Sequence, residues 1–126
     1  MGAAVEVTGL DHLVLNVADV ERSLRFYGET LGLPSVRVDE WRAGTAPFPS
    51  LRVDEGTIID LMAAAPSGHN LDHLCLVVAP TDMDALAADD RLDVLDGPAP
   101  RFGARGMGTS LYVRDPDGNT VELRTY

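Results

Sequence analysis

Leu71-Asp72-His73-Leu74 opens the apolar run Leu74-Cys75-Leu76-Val77-Val78, and the same tetrad has already occurred as Leu10-Asp11-His12-Leu13 ahead of Val14-Leu15-Asn16-Val17. The two histidines are 61 residues apart. Downstream, Ile59-Asp60-Leu61 is answered by Val121-Glu122-Leu123 at an offset of 62. Two matched pairs at nearly one spacing indicate a duplicated unit, each copy bringing a His near the start of its first strand and a carboxylate in its last.

Side chains alternate between the faces of a strand with period two. His12, Val14 and Asn16 therefore share one face, and Leu13, Leu15 and Val17 the other. In the second copy His73, Cys75 and Val77 stand opposite Leu74, Leu76 and Val78, while Glu122 and Arg124 stand opposite Val121 and Leu123. If the copies pack about a pseudo-twofold, the four polar groups meet at the floor of one cavity. A lone strand His is usually a hydrogen-bonded core residue; a His repeated with a carboxylate repeated in phase argues for metal.

Between these landmarks the hydrophobic period switches. Residues 9 to 17 read as a strand; from Val20, with Asp19 as N-cap, Val20, Leu24, Tyr27 and Leu31 form a helical stripe that Gly32 and Pro34 end. Strands are expected at 35 to 42, 50 to 54 and 57 to 63, with Asp54-Glu55-Gly56 as the tight turn between the last two. After the short linker Pro66 to Asn70 the order repeats: a strand at 71 to 79, a helix capped by Thr81 or Asp82 with stripe Met83, Leu86, Ala87 and Leu92, then strands at 93 to 96, 109 to 114 and 120 to 125. Asp115-Pro116-Asp117-Gly118-Asn119 is a strong turn signal. The Gly- and Pro-rich stretch 97 to 108 reads as a mobile rim. The expectation is an α+β chain, one domain over 1–126, built from βαβββ modules at 8–64 and 70–126.

Composition narrows the function. The 126 residues are 45% apolar, enough for one core, and the net charge is −10 with five Arg and ten acidic residues in each half, which argues against a nucleic-acid face. There is no Lys, so Schiff-base chemistry and a phosphate-loop lysine are excluded and anions must be met by Arg or backbone amides. The single Cys75 reads as a small buried strand residue, or as a liner of the cavity beside His73. No apolar run approaches the roughly 20 residues that span a bilayer, and Met1 to Glu6 lacks a secretion signal's basic start. A cytoplasmic protein without membrane partners is expected.

Two imidazoles and a carboxylate suit a divalent Fe, Ni, Zn, Mn or Co ion that keeps positions open to substrate. The expected ligands are His12, His73 and Glu122. Asp60, one methylene shorter than Glu122, is a fourth ligand, a partner of the ligands or a general base. Such an ion can polarise a carbonyl or hold an enediolate while a carboxylate moves a proton between neighbouring carbons. Tyr112 is either a packing residue or a donor to bound substrate. Arg101, Arg105 and Arg114 are candidates for gripping an anionic group, or else surface ion-pair members. Trp41, Phe48 and Met62 form a candidate apolar wall, and His69 in the linker is expected to face solvent.

Three segments carry a family resemblance over essentially the whole chain: Leu10 to Asp19; Phe26-Tyr27 through Leu31-Gly32-Leu33; and Tyr112-Val113-Arg114-Asp115-Pro116-Asp117-Gly118-Asn119-Thr120-Val121-Glu122-Leu123. The chain resembles the vicinal oxygen chelate superfamily, the glyoxalase, bleomycin-resistance and extradiol-dioxygenase group. The resemblance implies paired βαβββ modules forming a cupped mixed sheet, a divalent ion in the cup held by His12, His73 and Glu122, and Asp60 where glyoxalase-like members carry a ligand Glu or Gln. By the same analogy it implies a homodimer and a small-molecule substrate. The Gly103-Ala104-Arg105-Gly106 tail is similar to small glyoxalase-like proteins described as lactoylglutathione lyase-related or virulence-associated. The leading expectation is a glyoxalase-like lyase or isomerase in which Glu122 shuttles the proton. An extradiol-type dioxygenase comes second: the Tyr112 to Glu122 spacing matches, but Glu55 to Ile59 holds no distal His. A ligand-sequestering resistance protein without catalysis comes third.

Overall fold

A computed structural model describes residues 2–114 and 118–126. The turn expected at 115 to 119 lies largely outside the described residues. Among the described residues eight strands form one mixed sheet: β1 (Val7–Val17), β2 (Ser35–Val36), β3 (Ser50–Asp54), β4 (Thr57–Ala63), β5 (Leu71–Val78), β6 (Asp93–Gly103), β7 (Gly106–Arg114) and β8 (Thr120–Thr125). Their order is β2-β3-β4-β1-β5-β8-β7-β6. It reads alike outward from the centre, with β1 antiparallel to β5, β4 parallel to β1, and β8 parallel to β5. The two tetrads thus lie on the two central strands, where Val14 pairs with His73 and Cys75 with His12.

Helices cover the apolar side of each half. Helix α1 (Val20–Leu24) starts where the Asp19 carboxylate accepts the Arg22 N–H at 3.0 Å, and continues over Arg25–Thr30 with the wider π-type spacing, Leu31 N–H donating to the Phe26 carbonyl. Gly32, at φ +79, ends it in the left-handed conformation. Val20 and Leu24 pack on Leu51 and Leu61. In the second half Asp82 caps α3 (Met83–Ala87) by accepting from the Asp84 and Ala85 amides, and Met83 and Leu86 pack on Val78, Leu111, Val113 and Leu123. Fully buried residues such as Leu51, Leu61 and Leu111 each contribute roughly 2 kcal/mol of burial. This stabilisation sits on the side of the sheet away from the histidines.

Two stretches differ from the sequence reading. The strand expected at 35 to 42 stops after Val36; Arg37 turns the chain with φ +64, and α2 (Val38–Arg42) follows. Valines at 36 and 38 mimic a strand's alternation, yet Val38 packs as a helical residue in the first core cluster. The rim expected at 97 to 108 is instead the tip of the long β6–β7 hairpin, paired from Asp93/Arg114 to Gly103/Gly106. Pro98 and Pro100 read as strand breakers, but β6 is a terminal strand of the sheet, where a missing N–H is tolerated.

Candidate metal centre

His12 on β1, His73 on β5 and Glu122 on β8 converge on one point. Glu122 Oε1 lies 3.1 Å from each Nε2, and the two Nε2 atoms are 3.3 Å apart. Atoms bound about 2.1 Å from a common ion are about 3.0 to 3.4 Å from one another, so this triangle has the edges of a coordination polyhedron.

The far nitrogen of each ring is already committed. His12 Nδ1 meets Asp11 Oδ2 at 2.7 Å and His73 Nδ1 meets Asp72 Oδ2 at 2.6 Å, so the Asp of each tetrad orients its own His. With Nδ1–H donating to a carboxylate, Nε2 presents a lone pair toward the centre. Two lone pairs and a carboxylate oxygen then face one another across about 3 Å, an arrangement that needs a cation between them. A metal fits that donor set; without one, protons must serve.

Electrostatics without an ion agree. Burial alone would pull His12 down, but hydrogen bonds to Asp11, Cys75 and Glu122 outweigh it and raise its pKa to about 12. His73 is also raised, burial being overcome by Glu122 and Asp72. Burial would raise Glu122, yet the two imidazoles and Ser110 hold it well below the usual carboxylate range. Without an ion, the three side chains thus favour protonated imidazole beside ionised carboxylate.

Both Asp residues owe their aim to bulges in the central ladder. Leu10 pairs with Leu76 and His12 with Cys75, leaving Asp11 as the extra residue; Val14 pairs with His73 and Leu15 with Leu71, leaving Asp72 extra. A bulge re-aims a side chain that simple alternation would send to the opposite face. Asp11 is fully buried and also accepts the Ala104 N–H at 3.0 Å and the Tyr126 hydroxyl. Burial would raise it, but these bonds and the His12 ring hold it below its ordinary value.

Glu122 has both oxygens engaged, since Oε2 accepts from Ser110 Oγ at 2.7 Å and from Arg124 Nη1 at 3.1 Å. Arg124 is wholly buried and also donates to the Arg101 and Phe102 carbonyls, tying the tip of β6 to β8. Asp60 mirrors Glu122 from β4: Ser50 Oγ donates to its Oδ1 at 2.5 Å, and Oδ2 stands 3.8 Å from His12 Nε2, farther out than the triangle's edges. Burial raises Asp60 despite the His12 charge nearby.

His12, His73, Glu122, Asp60 and Asp72 line a cavity of about 220 Å³. Tyr112 enters it with its ring edge-on to His73 at 5.5 Å, and burial together with the Glu122 charge raises its hydroxyl, which therefore stays protonated. Phe48 and Met62 supply apolar wall, as expected, with Pro47 and Phe102 beside them. Arg101 lines the cavity; its Nη1 bonds the Pro100 carbonyl and its Nη2 is 3.5 Å from Asp96. Trp41 packs instead against the first core cluster, Arg105 stacks over Tyr126 at 4.2 Å, and Arg114 is exposed at the end of β7. None of these three lines the cavity. Cys75 is buried against His12 rather than in the cavity wall, with burial pushing its thiol up to about 11. His69 is exposed. Asp11, Asp72 and Arg37 were not singled out from sequence, although an Asp directly before each His was in view.

The sequence profile of the Glyoxalase/Bleomycin resistance protein/Dioxygenase superfamily matches residues 9–123. The chain belongs to this superfamily. Two relatives of the glyoxalase superfamily chain are virulence protein STM3117 of Salmonella typhimurium, 31% identical over 93% of this chain and 83% of that protein, and the glyoxalase domain-containing protein RDO1 of Mycosarcoma maydis, 33% identical over 97% and 70%. Among solved structures, the Mn(II)-bound glyoxalase of Novosphingobium aromaticivorans superposes with a TM-score of 0.68 at 20% identity, covering 96% of this chain and 40% of that one. Methylmalonyl-CoA epimerase of Mycobacterium tuberculosis gives 0.65 at 22% identity over 99% and 92%. At these identities the likeness is one of fold. Among the described residues no helix is long and apolar enough to cross a membrane.

Proposed function

We propose that this superfamily member is a divalent-metal-dependent lyase or isomerase of glyoxalase type, acting on a small substrate that chelates the ion through two neighbouring oxygens. The observation that carries the reading is the triangle of His12 Nε2, His73 Nε2 and Glu122 Oε1, with edges of 3.1, 3.1 and 3.3 Å and both Nδ1 atoms held by carboxylates. When bound, the ion would supply Lewis acidity that makes the carbon-bound proton beside the chelated oxygens removable.

The chain's own groups do the rest. His12, His73 and Glu122 hold the ion. Glu122 has both oxygens occupied, so the proton shuttle that the sequence put on Glu122 is better assigned to Asp60, whose Oδ1 is anchored by Ser50 while Oδ2 faces the centre. Asp60 takes the proton from one substrate carbon and returns it to its neighbour. Tyr112 donates a hydrogen bond to substrate, and Phe48, Met62 and Phe102 keep water away.

The test is metal analysis of protein purified without chelator, followed by assays with the methylglyoxal–glutathione hemithioacetal and with catechols under iron and air. About one equivalent of Ni, Zn, Mn or Co with isomerisation supports the proposal. Iron with ring cleavage favours the dioxygenase, and tight ligand uptake without metal favours a sequestering protein. A homodimer is proposed by family analogy, and light scattering decides it.

A further inference from the structure

The cavity wall carries a cation with an unused donor. Arg37, the single non-glycine residue with positive φ among the described residues, places its guanidinium 4.0 Å from the Phe102 ring centroid and 5.5 Å from that of Phe48. All three residues line the cavity that also holds His12, His73 and Glu122. Its Nη1 is buried and has no hydrogen-bond partner among the described residues.

A guanidinium stacked on aromatic faces keeps its N–H donors in the plane of the group, where they match the two oxygens of a carboxylate or phosphate. A buried charged donor without an acceptor is costly, and a left-handed backbone at a non-glycine residue is a strain that persists where the surroundings enforce it. Both costs fall on one residue, in the wall of the site. Arg101, by contrast, already bonds the Pro100 carbonyl and lies near Asp96, so it is the less available of the two. The net charge of −10 gives the chain no general attraction for anions, so recognition of one has to be local.

We propose that Arg37 is the anion-recognition residue of this site: besides the two chelating oxygens, the substrate carries an ionised carboxylate or phosphate-type group that Arg37 receives edge-on between Phe48 and Phe102. The proposal rests on the metal-chelate reading above and deepens it by naming the substrate class.

The experiment uses the full chain loaded with Mn(II) and three hydroxamates, each of which chelates through neighbouring oxygens. Acetohydroxamate is neutral beyond its chelating group, succinohydroxamate adds a carboxylate, and phosphonoacetohydroxamate adds a phosphonate. Calorimetry is expected to show at least one anionic probe binding about tenfold to a hundredfold more tightly than acetohydroxamate, the gain of a charge-assisted pair. In R37Q that gain should vanish while acetohydroxamate binds as before, which also reports that the variant is folded; R37K should keep part of it. A preference for succinohydroxamate names the carboxylate, and a preference for phosphonoacetohydroxamate names the phosphate class. Absence of gain from both probes, or a gain that survives in R37Q, overturns the proposal while leaving the chelate reading intact. Failure of acetohydroxamate itself to bind overturns the chelate reading and the anion site together.

Discussion

The Nε2 atoms of His12 and His73 lie 3.3 Å apart, although 61 residues separate them in sequence and each ring is held from behind by the Asp that precedes it. The central antiparallel pair β1–β5 brings the tetrads together, and the two bulges at Asp11 and Asp72 turn each carboxylate to the ring that follows it. One ladder therefore builds two thirds of the donor triangle before β8 adds Glu122.

Removing one ring should empty the site without unfolding the chain. His73→Ala deletes a mostly buried side chain whose contacts are cavity groups, among them Glu122 and the Tyr112 ring, whereas the apolar clusters lie on the other side of the sheet. Elemental analysis should find metal in the wild type and almost none in the variant, with an unchanged far-UV circular dichroism spectrum. A full equivalent of metal in His73→Ala would misplace the centre.

The orienting carboxylates should matter unequally. Asp11 is fully buried and holds the Ala104 amide and the Tyr126 hydroxyl as well as His12, while the Asp72 side chain is about half exposed and bonds His73. Partners of this kind are worth about tenfold to a hundredfold in metal affinity. Asp11→Asn is expected toward the upper end and Asp72→Asn toward the lower, because solvent screens the exposed pair. Competition against a fluorescent chelator measures both; equal affinities in the two variants and the wild type would remove the Asp residues from the site.

Protons and metal compete for the same space, which fixes the sign of the pH dependence. Without metal His12 is raised to about 12, so its ring is protonated at neutral pH, and His73 is shifted in the same direction by Glu122 and Asp72. Ligation requires neutral imidazole, and uptake near pH 7 should therefore release protons, that of His12 among them, with affinity climbing as pH rises. Calorimetry in buffers of different ionisation enthalpy counts them, and metal uptake without proton release would contradict the assignment. The metal-free chain behaves oppositely. His12 contributes stability that is fully present below its unfolded pKa and lost only as pH rises toward about 12, while Glu122, held low, contributes above its unfolded value and is lost as pH falls well below it.

The tetrads made the central strands and two candidate ligands legible because a repeated apolar alternation fixes which face each His takes, and the echo at Asp60 and Glu122 marked the flanking strands. The orienting role of Asp11 and Asp72 was hidden by the same rule: alternation sends neighbours to opposite faces, and a one-residue bulge has no signature in residue type. Arg37 was hidden because an arginine in the left-handed region is a conformation imposed by its surroundings, and Val36 and Val38 on either side look like strand. The β6–β7 hairpin was masked by prolines that only an edge strand accepts.

Gly103 should prove as important as a ligand although it has no side chain to offer. A Cβ there would stand 2.5 Å from Arg124 Cζ and Nη1 and 2.7 Å from Asp11 Oδ2. Neither neighbour can yield cheaply: Arg124 is fully buried and bonded to Glu122 and to the Arg101 and Phe102 carbonyls, and Asp11 is pinned by His12, Ala104 and Tyr126. Gly103→Ala should cost about 1 to 3 kcal/mol, the usual range for overpacking, and should weaken metal binding because the displaced groups orient His12 and Glu122. Gly9→Ala is the control, since a Cβ at Gly9 meets nothing within 4 Å on the same central strand as Asp11. Urea denaturation paired with chelator competition should show both losses in Gly103→Ala and neither in Gly9→Ala. Equal stability of the two variants would mean that the Arg124–Asp11 cradle is looser than its contacts imply.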